Sequence, residues 1–472
     1  MSGERKTNKF GYALGLFGLT LLTQLFHGFN LSYYVDTLGM TLVYATICKI
    51  IFVIVDSVND VIFGQLSEKT KSRWGKRIPW LVGGAIFIPI FVILTYILNV
   101  NNVTVFSTLG LLGYYMIISI FFENASTVMY VNYNALFPNL FPSTSERNKT
   151  ATYKHIFELL AMILCYVLTP ILVSYLKSYV LVGIIYSAIY LICICACVGS
   201  VKITDEVKRE ANQDNAKYSF KETINDLFHN KPFIVYNLAQ SFFAAIMALV
   251  VSMYPMYCRY SLGIDASSVA DSWKQSVVLG CFFASLILSI PLWSLAIKKF
   301  TARKVWVADF FLITFALSLL AIPKDWVGGL ITVIFVGPTF GGLMLAPDMV
   351  SAELIDIDKI KHKVSREAVF GSIANIIGRF STIISAILTA IITYLFGYKS
   401  GAEPGDNPAL TFKILFGAIM PFITLLGGIF AIYYYRISRK DTFMLHELKR
   451  AASDVTTEVS ISEIMEKANG KK

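Results

Sequence analysis

Long apolar runs alternate with short polar connections along most of the 472 residues. Twelve runs, at about 11–35, 40–66, 79–99, 104–137, 151–176, 179–201, 232–257, 272–297, 303–322, 326–346, 366–396 and 409–436, predict twelve helices. Each is long enough to cross a hydrocarbon layer of ~30 Å at ~1.5 Å per residue. The expected fold class is therefore an all-α membrane protein with twelve transmembrane helices. A polar, charged connection over 202–231 divides six runs from six. The expected units are a six-helix half over 1–201, a linker over 202–231, a second six-helix half over 232–436 and a charged tail over 437–472.

Polar residues inside the apolar runs fall on helical faces. Thr20, Gln24, His27, Asn30 and Tyr34 in the first run are three or four positions apart and share one face. The second run carries Lys49, Asp56, Asn59 and Asp60, with both aspartates on one side of a helix. The fourth carries Glu123, Thr127, Tyr130 and Asn134, again on one face. His155 and Glu158 open the fifth, three residues apart and within reach of each other. Asn375, Arg379 and Thr382 lie in the eleventh. Ionisable and polar side chains within a bilayer face protein or a water-filled cavity and mark functional sites by default. Asp56, Asn59 and Asp60 supply oxygen donors suited to Na⁺, or carboxylates able to carry H⁺. Gln24, His27, Asn30, Tyr34, Tyr130, Asn134, His155, Asn375 and Arg379 are the candidate substrate-binding residues. Hydroxyls, amides and aromatic rings at such spacing suit a polyhydroxylated ligand, which wants stacking and hydrogen bonds together. Interhelical hydrogen bonding, or a salt bridge from Asp56 or Asp60 to Lys49 or Arg379, is the structural alternative.

Composition agrees with the pattern: 56% of residues are hydrophobic and only 15% charged, with mean hydropathy +0.62. A soluble domain would carry roughly a quarter charged residues. The net charge of +10 does not imply a nucleic-acid partner, because the basic residues are spread over loops between apolar runs. The odd-to-even connections carry only Lys177, Arg259, Lys324 and Lys399, and this asymmetry predicts that both termini are cytoplasmic. The first run leads into Asp36 and another span rather than a small-residue cleavage site, so no signal peptide is expected. The seven cysteines have neither disulfide nor zinc spacing, and no phosphate-binding glycine loop or nucleophile motif occurs. No enzyme activity, no cofactor and no resident metal are expected. Two six-helix halves joined by a polar loop are the pattern of a secondary transporter.

Three motifs sharpen this reading. Asp56, Asn59 and Asp60 are followed by Gly64 and by a basic loop holding Arg73, Gly75, Lys76 and Pro79. Tyr133, Ala135, Leu136 and Pro138 follow the fourth run, with Glu146 and Arg147 beyond them. After the tenth run comes Ala352-Glu353-Leu354-Ile355-Asp356, with Lys359 three positions on. In these stretches the chain resembles the melibiose-permease-like glycoside–pentoside–hexuronide:cation symporters of the major facilitator superfamily. The resemblance implies the major facilitator fold in a cell membrane. It also implies cation-coupled import of a sugar or glycoside by alternating access, with Asp56 and Asp60 as ligands for Na⁺ or H⁺, in a monomer. The sequence departs from that family where it binds sugar. The family's acids on the first and fourth spans fall at Thr20 and Tyr130, its fifth-span arginine at His155, and its eleventh-span lysine at Gly378, next to Arg379. A transporter of lysolipid or another non-sugar solute, or a non-transporting sensor or scaffold on the same fold, is the alternative.

Overall fold

The structure is a computed structural model that describes residues 7–52, 55, 70, 72, 77–98, 107–141, 144–201, 226–265, 268–362 and 367–439. Among these, every regular element is a helix. They are α1 (Lys9–Ser32, continued by a π-helical turn, Tyr33–Thr37), α2 (Leu42–Phe52), α3 (Ile78–Ile97), α4 (Thr108–Leu140), α5 (Thr144–Leu176) and α6 (Tyr179–Ser200). Then follow α7 (Lys231–Ser261), α8 (Val269–Phe300), α9 (Ala302–Ser318) and α10 (Trp326–His362). The next, α11, has two segments, Glu367–Gly378 and Phe380–Phe396, and α12 covers Pro408–Ile437 with a π-helical turn at Leu415–Ile419. Eleven of these stretches are long and apolar enough to cross a membrane, and α2 is a shorter apolar helix. Asp56, Asn59 and Asp60 lie outside the described residues, as do Gly64, Arg73, Gly75 and Lys76.

Local sequence explains where the helices begin. Asn8, Ser107, Ser178, Asn230, Ser268 and Asn407 each accept a hydrogen bond from a backbone N–H in the first turn of the helix that follows. Proline stands in the first turn of α3, α7 and α12, where its missing N–H costs nothing. Small residues set the closest crossings. A Cβ on Gly15 of α1 would lie 2.8 Å from Cys197 Cβ of α6, and one on Gly337 of α10 would lie 2.6 Å from the Phe282 carbonyl oxygen of α8. Such pairs let helix backbones approach where apolar burial supplies no drive between helices.

The helices pack as two groups. Within the first, α1 lies against α5 and α6, and α3 against α4 and α6; within the second, α8 packs on α10, α9 on α10 and α12, and α7 on α11 and α12. The groups meet through α5 on α8 and α1 on α7. One end of this interface is tied by hydrogen bonds. The Tyr398 hydroxyl donates to the Asp36 carboxylate. Leu42 N–H donates to the Lys399 carbonyl at 2.7 Å, and Gly401 N–H to the Val35 carbonyl at 3.1 Å. Ser174 donates to Ser272 at 2.9 Å and Ser276 to the Val167 carbonyl at 2.6 Å. The opposite end carries the start of α1 and the end of α12. There Arg303, only 3% exposed, anchors α9 to two neighbours. It donates to Glu353 on α10 at 2.8 Å and to the Ser438 hydroxyl after α12 at 2.8 Å.

Candidate functional site

A cavity of 480 Å³ opens where both helix groups face each other. From α1 it takes Gln24, His27 and Asn30, from α2 Lys49, from α4 Glu123 and Thr127, and from α11 Arg379 and Thr382. These are the polar exceptions in otherwise apolar helices, which is why they turn inward rather than to lipid. His27 Nδ1 stands 3.5 Å from Glu123 Oε1. Gln24 accepts a hydrogen bond from the Tyr166 hydroxyl of α5 at 2.7 Å. That ring fits because position 28 is glycine: a Cβ there would lie 2.5 Å from Tyr166 Cε1. Asn30 is 4% exposed, and its Oδ1 has no hydrogen-bond partner among the described residues. Arg379 sits between the two segments of α11, where its N–H bonds to the carbonyls of Asn375 and Ile376. The wall thus combines a lysine, an arginine, a histidine, a glutamate and several neutral hydrogen-bonding groups. It can grip a polar solute at several points.

Four candidates from the sequence, Gln24, His27, Asn30 and Arg379, come together on this wall. The others are placed elsewhere. Tyr34 is fully buried, and its hydroxyl donates to the Thr95 carbonyl at 2.9 Å. Tyr130 packs beside α1 with its hydroxyl 3.3 Å from Thr23 Oγ1. Asn134 is exposed and accepts from Lys154 at 3.1 Å. His155 is exposed and lies 3.5 Å from Glu158, and Asn375 is exposed. Asp56, Asn59 and Asp60 lie outside the described residues. The wall also has members that the sequence reading did not assign: Lys49, Glu123, Tyr115, Ser119, Ser252 and Ser385. Tyr115 and Ser119 precede Glu123 and Thr127 at intervals of four, so extending the α4 stripe toward its N-terminus would have found these two.

Two further spaces flank this cavity. A 390 Å³ pocket lined by Asn237, Gln240, Ser241 and Ala374 shares Met247 with it. A 660 Å³ cleft lies at the tied end, with Asp36, Lys177, Arg259 and Gln275 on its wall. The Tyr166 ring contacts Phe29 within its own helix group and Phe283 across the interface, with centroids 6.0 and 6.1 Å away.

Residues 11–439 match the family described as MFS/sugar transport protein. The chain belongs to that family. An uncharacterized symporter of Synechocystis, sll1374, is 30% identical over 159 residues, 34% of this chain and 29% of its own length. Lactose permease of Lactobacillus delbrueckii subsp. bulgaricus is 22% identical over 325 residues, covering 65% of this chain and 49% of the permease. The matched stretches therefore span less than half the length of these relatives. The nucleoside transporter NupG shares the fold, with a TM-score of 0.61 at 14% identity, over 90% of this chain and 98% of that one. The major facilitator architecture expected from the sequence is the one observed.

Proposed function

We propose that this member of the MFS/sugar transport family is a secondary transporter that imports a sugar or glycoside together with a cation. The observation that carries this reading is the cavity itself. It is polar, it draws its wall from both helix groups, and hydrogen bonds between the groups tie one end of their interface. Alternating access requires a central site between two bodies that rock about it. In this reading the terminal end faces the cytoplasm, as the distribution of basic loops supports, and the present state is closed to the outside. Substrate meets Gln24, His27, Asn30, Glu123 and Arg379. Asp56 and Asp60, with Asn59, hold the coupling Na⁺ or H⁺. A cation there relieves the repulsion between two carboxylates and stabilises the loaded cavity. Cation and substrate each strengthen the other's binding, as thermodynamic linkage demands. The names of the relatives, a symporter and a lactose permease, support coupling and a sugar.

The test is uptake by the full-length protein in proteoliposomes. Monosaccharides, disaccharides, glycosides, nucleosides and lysolipids are screened with and without Na⁺ and pH gradients. Gradient-stimulated accumulation of a sugar or glycoside is the expected result. Accumulation of a nucleoside or lysolipid alone would replace the substrate assignment, and equilibration without any response to either gradient would remove the coupling.

A further inference from the structure

The 660 Å³ cleft at the tied end shares no wall residue with the polar cavity. Both helix groups build it. The first contributes Asp36 at the end of α1 and Lys177 after α5; the second contributes Arg259 on α7, Asp265 after it, and Gln275 on α8. Gln275 is 1% exposed, and neither its amide nitrogen nor its amide oxygen has a hydrogen-bond partner among the described residues. Its neighbours on α8 are bonded to α5. Ser272 accepts from Ser174 at 2.9 Å, and Ser276 donates to the Val167 carbonyl at 2.6 Å. The backbone on both sides of Gln275 is therefore pinned, and the side chain stands on the cleft wall with a donor and an acceptor side by side. A buried amide without partners is costly, and it is tolerated best where a ligand supplies them.

The charges of the wall narrow the ligand. Each helix group brings one acid and one base, so the four formal charges cancel. A ligand with a single charge gains from one sign on the wall and is repelled by the other. An uncharged ligand gains from neither. A small zwitterion meets both signs at once and matches the amide as well, since a carboxylate accepts and an ammonium donates. We infer that this cleft is a binding site, separate from the polar cavity, for a small zwitterion of the α-amino-acid type. Its carboxylate lies between Arg259 and the Gln275 amide N–H. Its ammonium lies between Asp36 and the Gln275 amide oxygen. Asp36 already accepts from Tyr398, and a carboxylate has lone pairs beyond that one. The rings of Tyr33 and Tyr179, also on the wall, add a face for the ammonium or for the ligand's side chain.

The experiment uses the full chain in lipid nanodiscs near neutral pH and measures equilibrium binding by calorimetry. L-Alanine is compared with propionate and ethylammonium, each of which lacks one of its charged groups. L-Phenylalanine is compared in the same way with 3-phenylpropionate and 2-phenylethylammonium, and glycerol stands for an uncharged polyol. For at least one amino acid, binding is expected to be about tenfold or more tighter than for either of its singly charged analogues. Gln275→Leu should weaken that binding about tenfold, whereas Glu123→Gln, a change in the polar cavity, should leave it unaltered. Should Gln275→Leu fail to fold, Arg259→Gln, at an exposed position, is expected to produce the same loss. Equal affinity for an amino acid and its singly charged analogues overturns the zwitterion site, as does glycerol binding more tightly than either amino acid. Amino-acid binding that falls in Glu123→Gln but survives Gln275→Leu moves the ligand to the polar cavity and overturns the site. Binding of none of these probes also overturns it, and all of these results leave the transport reading standing, because no arm measures uptake.

Discussion

Replacing Tyr398 with phenylalanine removes one atom from the tied end of the molecule. Tyr398 is fully buried and donates its hydroxyl proton to Asp36 across the interface between the helix groups. Burial, and then the Asp36 charge, push the Tyr398 phenol well above its ordinary range, so it keeps its proton and the bond persists into alkaline solution. A hydrogen bond to a charged group contributes about 1.5–3 kcal/mol. The bond joins residues 362 positions apart, on opposite sides of the interface that separates at this end in the proposed transport cycle. Its loss therefore acts on the conformational equilibrium and shifts it by about 10- to 150-fold toward the opened state. The backbone bonds Leu42–Lys399 and Gly401–Val35 remain, which bounds the effect to this one interaction. Spin labels at Tyr175 and Lys324, both exposed and near that end, report the separation by double electron–electron resonance. Wild type is expected to give one short distance, and Tyr398→Phe a second, longer population. A variant that folds normally and keeps the wild-type distance distribution refutes the latch.

Other perturbations follow from the same geometry. Glu123→Gln replaces the carboxyl group facing His27 at 3.5 Å with an amide and is expected to weaken substrate binding about tenfold by calorimetry; unaltered affinity would remove Glu123 from the site. Arg303→Met leaves Glu353 without its buried partner and destabilises the fold by about 3–5 kcal/mol, read as a lower thermal midpoint. An unchanged midpoint would contradict the structural role given to that pair. Gly337→Val forces α8 and α10 apart, since even a Cβ would lie 2.0 Å from Ser285 Oγ, whereas Gly113→Ala meets open space. The first should lower the thermal midpoint sharply and the second should not.

Much of the fold was legible because lipid-crossing helices need continuous apolar runs, and such runs are hard to mistake. Where the reading stopped short, the reason is physical. The tenth run was expected to end near 346, where acids begin, yet α10 continues to His362, with Glu353 on it held by Arg303. Charge ends a span but does not end a helix. The eleventh run gave no sign of its division at Arg379. Within the site, periodicity identified the correct face of α1 through Gln24, His27 and Asn30. It failed at Tyr34 because the π-helical turn at Tyr33–Thr37 breaks the 3.6-residue repeat and rotates that side chain away. Periodicity also carries no information on depth. Asn134, His155 and Asn375 are exposed, outside the cavity wall that their stripes helped to locate. Of the second run, residues 40–52 and 55 fall among the described residues.

Cation–substrate linkage is the most direct measurement of the account as a whole. Equilibrium binding of the transported solute is measured with and without Na⁺, and at two pH values, for wild type and Asp56→Asn. Wild type should bind solute more tightly in the presence of one cation, and Asp56→Asn should insert in the membrane normally yet lose that response. Asp56→Asn protein that keeps the full cation dependence would contradict the placement of the coupling ion at Asp56 and Asp60.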